Sequence, residues 1–430
     1  MKTTFLSVVA AVAALTTGSL AAHATASAAA PAKDAILATY ADIAQAGYED
    51  SVTLAKELKT AVDALVANPS EETMTAARDA WVASRVPYMQ TEVYRFGNPI
   101  VDDWEGKVNA WPLDEGLIDY VDASYGTDSE DNAAYVANVI ANPALTIGSD
   151  TVDASSINAD LLADTLHEVG GVEANVATGY HAVEFLLWGQ DLNGTDAGAG
   201  ERPWTDYASG DDCTNGNCDR RAEYLTTSTN LLIADLEWIA GQWGPEGDAR
   251  ADLVSDGVDG GIARILTGMG SLSYGELAGE RMQLGLLLHD PEEEHDCFAD
   301  NTHNSHYYDA QGVLNAYTGS YTRIDGTKVE GASVSALVAA KDKAADAALL
   351  ASLDTTMGAM GVMKERALGG EAYDQMIGEG NTEGNAVVQA AIDGLTAQTK
   401  GIEAAVTVLG LEPIAFEGSD SLDSPEAVFE

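Results

Sequence analysis

Basic residues are scarce in this sequence. Its 430 residues hold 21 Lys and Arg against 69 Asp and Glu, a formal net charge of −48. Such a field repels nucleic-acid phosphates and anionic membranes, which excludes both as direct partners, and it attracts cations. Solubility in salty water accounts for the bulk of the charge, so net charge alone does not mark a metal site. Cysteine is scarcer still, with three in all. Cys213 and Cys218 flank Asn215-Gly216, and in an oxidising compartment they read as a local disulfide closing a turn. A two-thiolate metal clip is the alternative. Cys297 is left over and reads as a small buried apolar residue. Alternating β-branched runs are few, so strands are expected to be rare.

Long hydrophobic runs are also lacking. The one near the start, Phe5 to Leu15, follows Lys2 and precedes the small-x-small sites Ala26-Ser27-Ala28 and Ala28-Ala29-Ala30. That is the pattern of an export signal, too short to span a bilayer as a mature helix. Residues 1–28 are therefore set aside as a signal peptide. Loss of Lys2 takes the net charge from −48 to −49. The mature chain is expected in the periplasm, the cell envelope or the medium. No lipid anchor is expected, since no Cys follows the run, and no transmembrane segment.

What the sequence does have is helical periodicity. Ile36, Tyr40 and Ile43, then Leu54, Leu58, Val62 and Leu65, recur at spacings of three and four. Further helices are expected near 158–168, 172–188, 220–242, 259–288, 332–366 and 385–409. The Ala-rich stretch 336–351 suits helix propensity. The longest polar break, 189–219, is the best candidate boundary, giving domains 29–200 and 201–416 with a solvated acidic tail at 417–430. Two helical bundles of similar size fit these lengths.

The sharpest chemical feature is GYHAVEFLLWGQD at 179–191. His181 and Glu184, at i and i+3, share one face of an apolar helix, and Trp188 continues it one turn on. A carboxylate in that setting needs a cation or donors to offset its desolvation, and an imidazole and a carboxylate one turn apart can grip one metal ion. A metal-free buried His–Glu hydrogen bond is the plain alternative. A second cluster spans 289–306, with His289, His295, His303 and His306 among many acids. Imidazoles and carboxylates together suit iron, zinc or copper, and a hydrated loop with capping histidines fits equally well. In 275–282, Glu276 and Glu280 stand at i and i+4 and require something positive between them, such as Arg281 or a metal. In 85–95, Pro87 interrupts a helix whose polar stripe is Arg85, Tyr88 and Glu92. WPLDE at 111–115 is the last feature of note.

Together these segments resemble the imelysin family, most closely its iron-regulated protein A branch. The match to the family's GxHxxE signature is Gly179, His181 and Glu184. The segment 85–95, WPLDE, RPWTDY at 202–207, GELAGERM at 275–282 and EHDCFADNTH at 294–303 follow the same branch, in order, over most of the mature chain. The resemblance implies an all-α fold of two similar four-helix bundles packed side by side, a functional site where they meet, export, and a part in iron uptake or homeostasis. On this reading His181, Glu184, Glu92 and Glu280 hold a metal, iron in preference to zinc. Arg85, Arg281, Asp114 and Trp188 stand behind them, orienting acids or binding an anion. His295, His303 and His306 are further candidate ligands. The cargo is a metal ion or an iron-containing ligand, and an outer-membrane uptake protein is the candidate partner. Two other classes compete: a zinc metallopeptidase using His181, Glu184 and a distant third ligand, although HExxH is absent, and a non-catalytic interaction protein of the cell envelope that holds no ion.

Overall fold

The computed structural model describes residues 30–429; the signal-peptide assignment, residues 1–28, lies outside them. The fold is all-α. Helices α1 (Lys33–Ala67), α2 (Glu71–Met89), α3 (Pro99–Asn109), α4 (Gly179–Trp188) and α5 (Cys218–Gln242) lead into α6 (Asp248–Asp252) and α7 (Gly257–Ser271). A π-wound segment, Leu272–Gln283, continues α7 into α8 (Leu284–Leu288). After it come α9 (Thr302–Thr318), α10 (Val334–Lys341), α11 (Lys343–Leu368), α12 (Tyr373–Ile377), α13 (Thr382–Leu409) and α14 (Asp420–Asp423). Among the described residues the strands form two short antiparallel hairpins: β1 (Ala144–Ile147) with β2 (Asp150–Asp153), and β3 (Ser320–Thr322) with β4 (Lys328–Glu330). No described helix is long and apolar enough to cross a membrane.

The helices fall into two sets by packing. In the first, α1 lies on α2 and α5, and α4 lies on α2, α3 and α5. In the second, α13 lies on α11 and the π-wound segment, and α11 on α9 and α10. The contact of α2 with α9 joins them. α5 begins at Cys218 yet packs on α1, so the boundary expected at residue 200 does not coincide with a change of packing partner. The polar break at 189–219 is a long connection inside the first set.

Local sequence accounts for the ends that matter. Ser70 and Thr73 form a capping box at the start of α2, each side chain serving the other's amide. Pro87 lacks an amide hydrogen and α2 stops two residues later at Met89. The chain then makes a single 3-10 turn, Glu92–Tyr94, so Glu92 leaves the helical face it was expected to share with Arg85 and Tyr88. The expected helix over 172–188 starts only at Gly179, because Gly170 and Gly171 adopt positive φ and Thr178 is extended. Cys213 and Cys218 are bonded to each other, and Cys297 is a free thiol. Residues 417–423 are not a free tail. Ser421 donates to the carbonyl of Gly279 at 2.9 Å, the Glu417 amide donates to Ser271 at 3.1 Å, and Tyr274 donates to Asp423 at 2.7 Å.

Candidate metal centre

Gly179 sets the site. Its φ is +83°, and a Cβ there would lie 2.5 Å from the carbonyl oxygen of Val108 in α3. Only glycine accepts both the conformation and the approach, so α4 can begin hard against the end of α3. Every residue of α4 is buried. Trp81 of α2 fixes the first turn by donating from its indole to the Tyr180 carbonyl at 3.0 Å.

His181 and Glu184 are both buried, and Nδ1 of His181 lies 2.9 Å from Oε2 of Glu184. The other carboxylate oxygen, Oε1, accepts the Ala299 amide at 3.0 Å. Glu184 is thus satisfied by protein donors and does not itself call for a cation, contrary to the expectation from its burial. It stands behind His181 and leaves the far ring nitrogen, Nε2, with no partner. That nitrogen belongs to a second constellation. Ligand atoms of His181, His295 and Asp296 all lie within 4.8 Å of one another, and all three residues are buried. Among the described residues no other group of three His, Cys, Asp or Glu side chains comes so close. The rings of His181 and His295 meet edge to face at 4.8 Å between centroids. Neither nitrogen of His295 has a hydrogen-bond partner.

The segment carrying His295 and Asp296 is the stretch whose composition left open a hydrated loop. It is held inward at several points. Trp111 donates to the Glu294 carbonyl at 2.6 Å and its ring meets His295 at 5.7 Å. The Asp296 amide donates to Thr302 Oγ1 at 2.9 Å. Asp296 Oδ1 accepts Arg85 Nη2 at 2.8 Å, while Oδ2 accepts Asn301 at 2.6 Å and Ser305 at 2.5 Å. Arg85 is fixed in turn by Asn109 at 2.7 Å and lies over the Tyr180 ring at 4.8 Å.

Burial, with Arg85 close by, holds His181 down at about 3, and burial with Arg281 and His181 nearby puts His295 well below the imidazole range. Both rings therefore stay neutral and keep a lone pair. Burial would raise Asp296, but the Arg85 guanidinium outweighs it and keeps the carboxyl below the usual range. Burial, then the Asp296 charge, pushes Glu184 up.

The remaining sequence candidates lie elsewhere. Glu92 accepts Arg281 Nη2 at 2.8 Å, within a buried network where Arg281 also holds Glu276 and Asp309. Arg281 is thus a counter-ion to three acids. Glu280 is exposed, and the inward acid of that helix is Glu276. Over Leu272–Gln283 the helix is π-wound, so residues five apart stack and Glu276 meets Arg281 where an α-helix would have paired 276 with 280. Asp114 is half-buried and accepts Asn132 at 2.5 Å; it is Trp111 of the same motif that touches the site. Trp188 packs edge-on against Trp81 at 5.4 Å beneath Arg78. His303 and His306 are buried with unpartnered nitrogens, outside the three-residue group. Nothing in the sequence singles out Asp296 itself, one of many acids in its stretch. Its sequence neighbour His295 was the only pointer to it.

A model of the imelysin family matches residues 44–402. Two crystal structures are similar in fold. One, described as an iron-regulated protein A precursor from Parabacteroides distasonis ATCC 8503, has a TM-score of 0.64 and 18% identity, covering 89% of this chain and 97% of that one. The other, an imelysin-like protein from Psychrobacter arcticum 273-4, has a TM-score of 0.55 and 16% identity, covering 89% and 98%. No protein among the curated ones matches this chain.

Proposed function

The chain belongs to the imelysin family, and on that premise we propose that it is an exported metal-binding protein acting in iron uptake or homeostasis. One observation carries the proposal: three imidazole nitrogens, Nε2 of His181 and both of His295, are buried without partners beside the Asp296 carboxylate. A buried polar atom without a partner is costly; each neutral ring offers one lone pair, and a cation placed between those two lone pairs and the carboxylate relieves that part of the cost. The residues fit an ion. Two neutral imidazoles and a carboxylate form a donor set that suits iron or zinc. His181, His295 and Asp296 would hold it. Glu184 orients His181 by taking its Nδ1 proton in a hydrogen bond, which aims the Nε2 lone pair at the ion. Arg85 orients Asp296 in the same way. This set is richer in nitrogen than the one expected from sequence, so preference for iron rests on the family and on the similar protein described as iron-regulated.

The metallopeptidase reading finds less support. Both oxygens of Glu184 are engaged by protein donors, which leaves it poorly placed as a general base. The ion-free interaction protein draws support from the completeness of the Arg85–Asp296–Asn301–Ser305 network, but that reading leaves His295 unexplained. Anaerobic titration of the purified protein with Fe²⁺ and with Zn²⁺ separates these readings. One saturable equivalent in the wild type, lost in His181→Ala with circular dichroism unchanged, is the expected result. Equal titrations in both proteins would remove His181 from the site.

A further inference from the structure

A recess lies against the same segment. It is lined by Glu115, Asp191, Glu292, Glu294 and Asp374, with Cys297 and Phe298. Five carboxylates thus converge from four parts of the chain, and no Lys or Arg lines the recess. Its cavity is about 10 Å³, room for the centre of one water-sized occupant.

Two of these acids cannot be dismissed as a solvated cluster. Glu294 and Asp374 are each only 1% exposed. Glu294 Oε1 and both oxygens of Asp374 have no hydrogen-bond partner. Asp191 and Glu115 are better provided, through Asn193 at 2.9 Å and Gln190 at 3.4 Å. Like charges packed this way, around a space for one atom and with oxygens left unpartnered, are tolerable only if something positive enters or protons are taken up.

We propose that this recess is a site for one hard divalent cation of the calcium type, separate from the histidine site. The donors are carboxylate oxygens, which suit Ca²⁺ and not the borderline metals favoured by imidazole. Only the His181 group brings three ligand atoms within 4.8 Å among the described residues, so the recess carboxylates must draw together on the ion. Doing so ties Asp374, at the head of α12, to the Pro291–Glu294 turn and to Asp191 just past α4. Burial, with Asp191 nearby, pushes Asp374 up to about 7, which reflects the same unbalanced charge.

The experiment is calorimetric titration of the mature protein with Ca²⁺ in high salt, which screens the general surface charge. One saturable equivalent is expected, accompanied by a rise in Tm. In a Glu294→Gln, Asp374→Asn double variant the affinity should fall about tenfold or more, as the count of charged ligands drops. If that variant does not fold, Glu292→Gln at the exposed rim serves in its place, with a smaller fall in affinity expected. His181→Ala should keep the calcium equivalent. Absence of any saturable equivalent in high salt, unchanged affinity in the recess variants, or loss of calcium in His181→Ala would each overturn the proposal.

Discussion

Two of this protein's buried clusters of charged and titratable groups, one around Arg281 and one around His181, differ in one respect. Around Arg281, three acids share one guanidinium: Glu92, Glu276 and Asp309 each lie 2.7–3.1 Å from its nitrogens. Among the fully buried atoms of that set Asp309 Oδ1 alone has no partner, and burial together with the Glu92 charge pushes Asp309 up, towards its neutral form. Around His181 the acids are satisfied too, but the imidazoles are not. Burial of charge is therefore a poor sign of a ligand site, because a network can close on itself. A group of buried lone pairs that nothing in the protein fills is the better sign.

The largest expected effect breaks the closed cluster. Arg281→Met leaves Glu92 and Asp309 without their guanidinium, and Glu276 with Arg95 alone at 3.4 Å, and should cost about 3–5 kcal/mol of stability, read by denaturant unfolding. It should leave the metal stoichiometry of the folded protein intact. A stable variant would mean that the Arg281 network is held by something else. Next, His295→Ala removes two unsatisfied nitrogens from the open cluster. Metal affinity should fall by more than about a hundredfold, beyond what loss of an outer partner does, while thermal stability holds. A metal-free variant less stable than the wild type by several degrees would make His295 a packing residue.

Glu184→Gln sharpens the contrast between holding an ion and orienting a ligand. It keeps the shape but weakens the bond to His181 Nδ1, and affinity should fall by about 10–100-fold without loss of stoichiometry. Total loss would restore Glu184 as a direct ligand.

Asp374→Asn tests the acidic recess in calcium-free buffer. The folded carboxyl sits at about 7, above its ordinary 3.8, so the native state binds more protons than the unfolded chain between these values. Stability contributed by Asp374 is thus lost as pH rises across that window. The Asn variant should melt higher than the wild type above about pH 7, by about 1 °C for each kcal/mol gained in a chain of this length, and should show no gain below about pH 4. The smallest effect is expected from Glu280→Gln. This exposed change should alter stability by less than about 0.5 kcal/mol and leave metal affinity as it was.

Much of the fold is legible in the sequence, since apolar spacing of three and four marks α1, α5 and α13 with no help from tertiary contacts. The ends are harder. Helix α4 starts later than its pattern suggests, because the backbone of 170–179 is set by glycines at positive φ and by a close approach to Val108. At the site, His181 is legible from the motif, but His295 and Asp296 lie more than a hundred residues on, in a stretch whose composition fits metal ligands and a hydrated loop equally well. Glu280 faces solvent and Glu276 faces Arg281 for a local reason. A π-wound segment moves each following side chain round the axis, and no residue type in GELAGERM announces it. Motif and helix face point to Asp114 and Trp188 as supports of the site, whereas their contacts are with Asn132 and Trp81.

The most direct test of the metal centre is elemental analysis of protein produced by its own host and purified without chelator. About one iron or zinc per chain is predicted for the wild type, and none for the His181→Ala, His295→Ala double variant with its helicity preserved. A wild-type protein that carries no metal and takes up none on titration would contradict the account, and so would a double variant that still carries one equivalent.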